Sequence, residues 1–186
     1  MFNNDYFVAA EVLSLKEKWG IKTVIETGSY LGDTTLWFAQ NFENTISIEV
    51  NAKFLDVAME KCKDYPVGFY LGNSLEILPR ILHHHNPESA ERVLFYLDAH
   101  GFGNPCPLPM ELKFISTLPV KPIIIIHDFY NPLHPEYSHN TFPDFDITIT
   151  NTRPYLEKVY GEVFNFWYND RATGDKVGVY YAEPYE

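Results

Sequence analysis

Short apolar runs alternate with longer amphipathic stretches along most of this chain. The apolar runs are rich in β-branched residues and have the length of strands, whereas the stretches between them repeat apolar residues at helical spacing. Strands that alternate with helices are typical of βαβ units, in which neighbouring strands run parallel. The pattern therefore predicts an α/β protein with a doubly wound, mostly parallel sheet that carries helices on both faces.

The predicted elements follow one another regularly as far as residue 129. An amino-terminal helix covers 3–19 within the segment 1–20, and Gly20 suits its C-cap. Five strands are predicted at 22–27, 45–50, 67–72, 92–100 and 121–129. The helices between them are predicted at 33–42, 51–65, 74–85 with a disturbance at Pro79, and 110–118. The fifth strand has an unbroken apolar run, which is typical of a strand that is buried on both faces.

The last part of the chain has a different pattern. Residues 129–151 contain prolines, histidines and aromatics without either period, which predicts a long irregular segment. A helix at 153–160 follows, and then two strands at 161–170 and 176–184 that 171–175 joins into a β-hairpin. The sheet is therefore predicted to have seven strands, with an antiparallel hairpin at its carboxyl-terminal end.

Composition limits the kind of protein that carries this sheet. The chain has 186 residues, of which 46% are hydrophobic, so we expect residues 1–186 to form a single domain. With 14 Lys and Arg against 25 Asp and Glu, the net charge is −11, which repels the phosphates of nucleic acid and of anionic membranes. No apolar run reaches membrane-spanning length, and the first residues lack the pattern of a signal peptide. We therefore expect a cytoplasmic protein that binds neither nucleic acid nor membrane.

The stretch VIETGSYLGDTT, residues 24–35, places an acidic residue at the end of the first strand and two glycines before a helix. In a doubly wound sheet, ligands bind beyond the carboxyl ends of the strands, where this loop lies. Glycine lets the backbone approach a ligand closely, and Gly28 suits a positive φ. The spacing GxxxG differs from the GxGxxG of dinucleotide-binding loops, and Glu26 would repel a pyrophosphate. A carboxylate at this place suits a ligand with a positive charge or an ammonium group.

The same stretch resembles motif I of the class I S-adenosylmethionine-dependent methyltransferases, which have a Rossmann-like fold. Glu26 stands at the first acid of that motif, Gly28 and Gly32 stand at two of its glycines, and Tyr30 replaces the middle glycine. The resemblance covers about residues 20–128 and implies S-adenosyl-L-methionine as the cofactor. The residues of this loop that it assigns to cofactor binding are Glu26, Thr27, Gly28, Ser29, Tyr30 and Gly32.

Three later strand ends match further positions of this family. Glu49, followed by Val50, ends the second strand where the family has an acid that binds the ribose hydroxyls. A carboxylate is well suited to accept two hydroxyl protons. Asn73 and Ser74 follow the third strand, where the family contacts the adenine, and they also suit the N-cap of the next helix without excluding that contact. Asp98 stands at the acid after the fourth strand and completes the predicted cofactor site.

Acidic and histidine residues end both the fourth and the fifth strand, and we expect these ends to be neighbours. They are Asp98 and His100 in the fourth strand and His127 and Asp128 in the fifth. Some O-methyltransferases that this sequence resembles hold Mg²⁺ between acids at these places, which implies a metal site at Asp98, His127 and Asp128. A histidine ligand favours Mn²⁺, Fe²⁺ or Zn²⁺ over Mg²⁺. Alternatively, Asp98 contacts the cofactor or caps the loop, and His127 is a general base or a hydrogen-bonded core histidine.

Methyl transfer to a hydroxyl requires in-line alignment of the acceptor and removal of its proton. The candidate catalytic residues are His127, His100 and Asp98. The proton leaves either to a base such as His127 or His100, or because a bound metal lowers the pKa of the hydroxyl. Residues 129–151 are expected to cover the acceptor pocket, or else to form a packed surface loop without a ligand. The side chains that would line the pocket for a small organic acceptor are Tyr130, His134, Tyr137, His139 and Phe142.

The sequence therefore predicts an enzyme, an S-adenosylmethionine-dependent methyltransferase that acts on a small molecule, with oxygen as the methylated atom. A non-catalytic binding protein of the same fold is an alternative, which the missing middle glycine and the histidine at position 127 favour. A nicotinamide-dependent oxidoreductase is a second alternative, against which the absent GxGxxG and Glu26 argue. A homodimer formed through the amino-terminal helix or the last hairpin is compatible with the pattern, which does not require one.

Overall fold

The computed structural model describes residues 2–84, 91–100 and 105–185. Within these ranges a short 3₁₀ helix at Phe2–Asn4 precedes six α-helices and seven strands. The strands are β1 Thr23–Thr27, β2 Asn44–Glu49, β3 Val67–Leu71, β4 Val93–Leu97, β5 Ile123–Ile126, β6 Phe164–Tyr168 and β7 Tyr180–Pro184. The helices are α1 Tyr6–Trp19, α2 Asp33–Asn41, α3 Ala52–Lys61, α4 Ser74–His84, α5 Leu108–Ile115 and α6 Ile149–Tyr160.

The strands form one sheet in the order β3-β2-β1-β4-β5-β7-β6. The first five strands pair in parallel, whereas β7 pairs antiparallel with both β5 and β6. The prediction of a doubly wound, seven-stranded sheet with an antiparallel carboxyl-terminal hairpin is therefore confirmed. The strand order reverses between β1 and β4, and the crevice beyond the carboxyl ends of such strands is where ligands bind in open α/β sheets.

Helices cover both faces of the sheet and enclose two hydrophobic cores. Residues of α4, α5 and α6 pack on one face, and residues of α1 and α2 pack on the other. Alternate residues of β5 belong to different cores, with Ile124 and Ile126 in the first and Ile123 and Ile125 in the second. The predicted burial of this strand on both faces is confirmed, because all four side chains are buried.

Two helices begin elsewhere than the periodicity predicts, because polar side chains cap them. α1 begins at Tyr6 rather than at residue 3, where the Asp5 carboxylate accepts hydrogen bonds from two backbone N–H groups of the first turn. α6 begins at Ile149 rather than at residue 153, and Thr148 caps it in the same way. The end of the segment predicted to be irregular therefore belongs to a helix.

Proline and asparagine change two further boundaries. α4 continues through Pro79 as one helix, because the buried side chains of Leu78 and Ile81 stabilise it despite the missing backbone hydrogen bond. The last two strands are shorter than predicted, and their connection passes through Asn169. The side chain of Asn169 accepts a hydrogen bond from the Val179 N–H at 2.8 Å and donates one to the Val177 carbonyl at 2.9 Å.

The predicted helix at 74–85 ends at residue 85, which lies outside the described residues. Residues 101–104, which follow the predicted strand at 92–100, also lie outside them. His83 and His84, at the described end of α4, are exposed. Within the ranges that the structure describes, no helix is long enough and apolar enough to cross a membrane.

Candidate functional site

A cavity of about 410 Å³ lies at the carboxyl ends of β1 to β5 and includes the crevice between β1 and β4. Most of the residues that the sequence predicts for a ligand site line this cavity. They are Gly28, Tyr30, Glu49, Val50, Asn73, Ser74, Asp98, His127 and Asp128. The remaining predicted residues, which are not among the described lining residues, are Glu26, Thr27, Ser29, Gly32 and His100.

Glu26 lies at the end of β1 but is buried behind the first loop rather than in the cavity wall. Its Oε2 accepts hydrogen bonds from the hydroxyl groups of Thr35 and Ser47, both at 2.5 Å, which connects β1 to α2 and β2. Burial raises the pKa of Glu26 to about 8, although these two hydrogen bonds act in the opposite direction. In this arrangement Glu26 supports the loop as a neutral carboxyl, and its predicted contact with a cationic ligand stays a prediction.

The two glycines of the first loop permit close packing between backbone segments. Gly28 has a φ of 90°, and a Cβ at this position would lie 2.4 Å from the backbone oxygen of Asp98. Gly32 has a φ of 78°, and its Cβ would lie 2.7 Å from the Cα of Ala58 in α3. The positive φ predicted for Gly28 is confirmed. The close approach that these glycines permit in the structure is to other parts of the chain.

Tyr30, which stands at the position of the middle glycine of the motif, has a backbone conformation that glycine adopts readily. Its φ is 46°, in the left-handed region that is unfavourable for a residue with a side chain. The Tyr30 ring packs edge to face against Phe54, with 4.7 Å between the ring centroids, and both residues line the cavity. Tyr30 and Phe54 therefore form an aromatic part of the cavity wall.

Glu49 is held at the end of β2 by two backbone amides. Its Oε2 accepts a hydrogen bond from the Tyr30 N–H and its Oε1 one from the Asn51 N–H, both at 2.8 Å. The residue is buried, yet it lines the cavity. Each carboxylate oxygen has a second lone pair, so a carboxylate fixed in this way can accept two hydroxyl donors from a ligand.

Asn73 and Ser74 combine the two roles that the sequence left open for them. The Asn73 Oδ1 accepts a hydrogen bond from the Leu75 N–H at 2.9 Å, which confirms Asn73 as the cap of α4. Both residues also line the cavity, next to Glu49 and Gly72. Capping therefore leaves them beside a ligand space, and their contact with an adenine stays a prediction.

Asp98, His127 and Asp128 form a charged group at the other end of the cavity. The His127 Nδ1 lies 3.2 Å from Asp98 Oδ1 and 3.3 Å from Asp128 Oδ1, between the two carboxylates and without a well-directed hydrogen bond to either. Burial lowers the pKa of His127, but the two negative charges outweigh it and hold this pKa well above its ordinary value. Asn140 donates a hydrogen bond to Asp128 Oδ2 at 2.8 Å.

His100 lies next to this group and is almost completely buried. Neither ring nitrogen has a hydrogen-bond partner among the described residues, and burial lowers the pKa of the ring. One ligand atom each from Asp98, His100 and Asp128 lie within 4.8 Å of one another. The structure thus places His100 with the two acids in a group that can hold a metal ion. His127 also lies beside both acids, and its predicted role as a metal ligand stays a prediction.

Glu111 on α5 is a buried acid that the sequence reasoning missed. It is fully buried, and neither carboxyl oxygen has a well-directed hydrogen bond among the described residues. Burial raises its pKa to about 7, while the nearby hydroxyls of Ser74 and Thr27 act to lower it. The sequence does carry a signal for this burial, because Glu111 lies on the same face of the helix as the buried Leu108 and Leu112.

The segment 129–151 contacts the site through Asn140 rather than through the predicted aromatic residues. The five residues proposed to line an acceptor pocket are not among the described residues that line the cavity. The His134 ring stacks on Tyr137 at 4.6 Å between centroids, and the Tyr130 ring meets His139 at 5.0 Å. That this segment covers an acceptor stays a prediction.

No family model and no curated protein matches this sequence. Solved structures match over nearly the whole chain. An O-methyltransferase from Bacillus cereus in complex with SAH is 17% identical, with a TM-score of 0.63 over 95% of this chain and 80% of that chain. The O-methyltransferase TomG from Streptomyces achromogenes, in complex with SAM, is 17% identical, with a TM-score of 0.62 over 91% of this chain and 75% of that chain. The N-methyltransferase NodS from Bradyrhizobium japonicum is 10% identical, with a TM-score of 0.57 over 95% of this chain and 94% of that chain. This chain therefore has the fold of these methyltransferases.

Proposed function

We propose that this protein is an enzyme that transfers a methyl group from S-adenosyl-L-methionine to an oxygen atom of a small organic acceptor. One observation carries this proposal: the same cavity has the Glu49 carboxylate at one end and Asp98, His127 and Asp128 at the other. Two backbone N–H groups hold the Glu49 carboxylate by hydrogen bonds. The fold that the chain shares with O-methyltransferases in complex with SAH or SAM supports the same function.

At one end of the cavity, the side chains suit a nucleoside. Glu49 accepts the two ribose hydroxyls, because its oxygens are already oriented by backbone amides. Asn73 and Ser74 face the adenine, and Tyr30 and Phe54 provide an aromatic wall. S-Adenosyl-L-methionine supplies a methyl group on a cationic sulfur, so the C–S bond breaks as the C–O bond to the acceptor forms and the hydroxyl proton is released.

At the other end, the charged residues suit an acceptor hydroxyl. Much of the rate of an in-line displacement comes from alignment, and His127 fixes the two carboxylates on either side of its Nδ1. A divalent cation bound by Asp98 and Asp128 would lower the pKa of the hydroxyl and so promote loss of its proton. The ring nitrogens of His100, which are buried and have no hydrogen-bond partner in residues 2–84, 91–100 and 105–185, fit such an ion.

The acidic surface favours a small-molecule acceptor over a polymer with phosphates. With a net charge of −11, the chain repels nucleic acid and anionic membranes, and we expect a cytoplasmic enzyme. The same charge attracts a cofactor that carries a sulfonium group.

Calorimetric titration of the metal-free protein with S-adenosyl-L-methionine, S-adenosylhomocysteine and NAD tests this function. We expect micromolar binding of the first two and none of NAD. Glu49→Ala should weaken this binding about 100-fold, whereas Glu43→Ala, which changes an exposed acid just before β2, should leave it unchanged.

Three outcomes of this titration would contradict the proposal or its cofactor site. If neither adenosyl compound binds, with or without Mg²⁺ and Mn²⁺, the protein has the fold without the cofactor and a non-catalytic role is favoured. Binding of NAD alone would favour an oxidoreductase. Unchanged affinity in both Glu49→Ala and Glu26→Ala would place the cofactor elsewhere.

A further inference from the structure

His100 is a buried histidine whose two ring nitrogens have no hydrogen-bond partner among the described residues. The residue is 2% exposed, and neither Nδ1 nor Nε2 forms a hydrogen bond within the part of the chain that the structure describes. Nearly all buried polar atoms of folded proteins have a partner, so an exception of this kind requires an explanation. A ligand that accepts the electron pair of one ring nitrogen provides one.

Two carboxylates lie beside this ring. One ring nitrogen of His100, one oxygen of Asp98 and one oxygen of Asp128 lie within 4.8 Å of one another. Ligand atoms about 2.1 Å from a shared metal ion are about 3 to 4.2 Å apart, so small side-chain rotations suffice to bring all three onto one ion. Asp98 and Asp128 directly follow β4 and β5, which are paired strands, so the sheet itself keeps these residues together.

Neighbouring side chains hold both carboxylates. The His127 Nδ1 lies 3.2 Å from Asp98 and 3.3 Å from Asp128, and Asn140 donates a hydrogen bond to the second oxygen of Asp128 at 2.8 Å. Contacts of this kind orient the ligating groups of metal sites and strengthen binding. These neighbours keep the two acids near the positions from which small rotations bring them onto one ion.

The nitrogen atom of His100 decides which ions suit this group. Mg²⁺ prefers oxygen ligands in near-ideal octahedral geometry, whereas Mn²⁺, Co²⁺ and Zn²⁺ accept imidazole together with carboxylates. We propose that Asp98, His100 and Asp128 bind one divalent transition-metal ion, and that the imidazole of His100 makes this site prefer Mn²⁺, Co²⁺ or Zn²⁺ to Mg²⁺. The ion belongs to the acceptor end of the site proposed above, but its binding by the chain does not require the cofactor.

Calorimetry on the EDTA-treated full chain, without cofactor, measures this preference. We expect Mn²⁺ to bind with a Kd at least about 10-fold lower than that of Mg²⁺. His100→Ala should weaken Mn²⁺ binding about 30-fold or more and change Mg²⁺ binding much less. His100→Asp converts the group to three carboxylates, so the Kd values of Mn²⁺ and Mg²⁺ should become more similar.

The exposed histidines at the end of α4 provide the control. His83→Ala combined with His84→Ala should leave the Mn²⁺ affinity unchanged, because these side chains lie outside the group. Loss of binding in this double variant, with binding retained in His100→Ala, would mean that the ion adsorbs at the helix end and would overturn the assignment.

Pulsed EPR of Mn²⁺ bound to the unaltered chain tests the nitrogen ligand without any substitution at position 100. We expect a ¹⁴N coupling from one directly bound imidazole. A spectrum without nitrogen coupling, or equal affinities for Mn²⁺ and Mg²⁺, would overturn the preference even if the variants do not fold.

Failure of the metal site and failure of the proposed function give different results. Binding of S-adenosyl-L-methionine without any binding of Mn²⁺ would overturn the metal site and leave the methyltransferase proposal in place. Selective binding of Mn²⁺ with the nitrogen coupling, but without binding of either adenosyl compound, would support the metal site and contradict the methyltransferase.

Discussion

The two ends of the cavity differ in how their polar groups are satisfied. At the ends of β1 and β2, the carboxyl groups of Glu26 and Glu49 receive hydrogen bonds from hydroxyls and backbone amides of the chain. At the ends of β4 and β5, His127 is shared between two carboxylates and His100 has no partner among the described residues. The two acids of the first end are thus held by groups of the chain itself, whereas the ring nitrogens of His100 at the second end are not hydrogen-bonded to any described residue.

This difference indicates how each end contributes to function. Groups that are already hydrogen-bonded are pre-organised, so they bind a ligand without further ordering and mainly determine affinity. Buried polar groups without partners are unfavourable until a ligand satisfies them, so they reduce the stability of the free protein. We therefore expect substitutions at the first end to weaken cofactor binding, and substitutions at the second to alter turnover, metal binding and stability.

The largest expected effects separate the two ends directly. Glu49→Ala should weaken binding of S-adenosyl-L-methionine about 100-fold, since it removes a charged acceptor of two hydroxyl hydrogen bonds. His127→Ala should lower the rate of methyl transfer about 1000-fold with less than a threefold change in cofactor affinity, since this ring holds the acceptor end. Cofactor titration and single-turnover transfer of a labelled methyl group to a set of phenols and sugars measure both quantities. Equal losses of affinity and rate in His127→Ala would show that the two ends are not separate.

Gly28→Ala should disturb both ends at once, because Gly28 lies where the first loop touches the backbone after β4. The new Cβ would lie 2.4 Å from the Asp98 backbone oxygen, at a φ of 90°, so we expect a loss of about 3 kcal/mol in the free energy of unfolding. Gly161→Ala is a matched control, because Gly161 has the same φ of 90° and nothing within 4 Å of its Cβ. In urea denaturation, the free energy of unfolding of the Gly161→Ala control should fall less, by about 1 to 2 kcal/mol. Equal losses would mean that backbone conformation, rather than contact between the two ends, makes glycine necessary.

Glu26 should make the stability of the first end depend on pH. Its pKa of about 8 in the folded protein lies above the ordinary value of 4.5, so the folded state keeps a proton that the unfolded chain releases between these values. The raised pKa makes its full contribution to the free energy of unfolding below pH 4.5. This contribution falls by about 1.4 kcal/mol per pH unit as the pH rises, and it is lost as the pH passes 8. Glu26→Gln should remove this slope in urea denaturation between pH 5 and 8. Glu111→Gln should remove a similar slope that ends near pH 7, because the pKa of Glu111 is about 7. If the free energy of unfolding of Glu26→Gln depends on pH in the same way as that of the unaltered chain, Glu26 is not a neutral carboxyl in the folded protein.

The smallest expected effect is a gain in stability at the second end. His100→Leu replaces a buried ring, which has no hydrogen-bond partner in the described part of the chain, by an apolar side chain, so the metal-free protein should become more stable by about 1 kcal/mol. The same variant should lose selective binding of Mn²⁺. His139→Leu, at a half-buried histidine outside the group, should give no such gain when thermal unfolding is compared in EDTA. Destabilisation by His100→Leu would mean that the ring has a structural partner.

The sequence by itself determined the sheet and the places of most site residues. Strand and helix periods, Gly28 and the acid at the end of the second strand are local features, because period, backbone freedom and capping depend on a few neighbouring residues. The same local reasoning placed Glu49, Asn73 and Asp98 at the edge of the sheet where the cavity lies.

Only the tertiary structure decided which way the side chains of these strand ends face and what surrounds them. It buried Glu26 behind the loop, placed His100 as well as His127 beside the two acids, and brought Asn140 from a distant segment onto Asp128. Sequence order fixes the end of the sheet at which a residue lies. Its burial, its charge state and its partners depend on side chains from other elements that pack against it, and these are known only when the whole sheet and its helices are assembled.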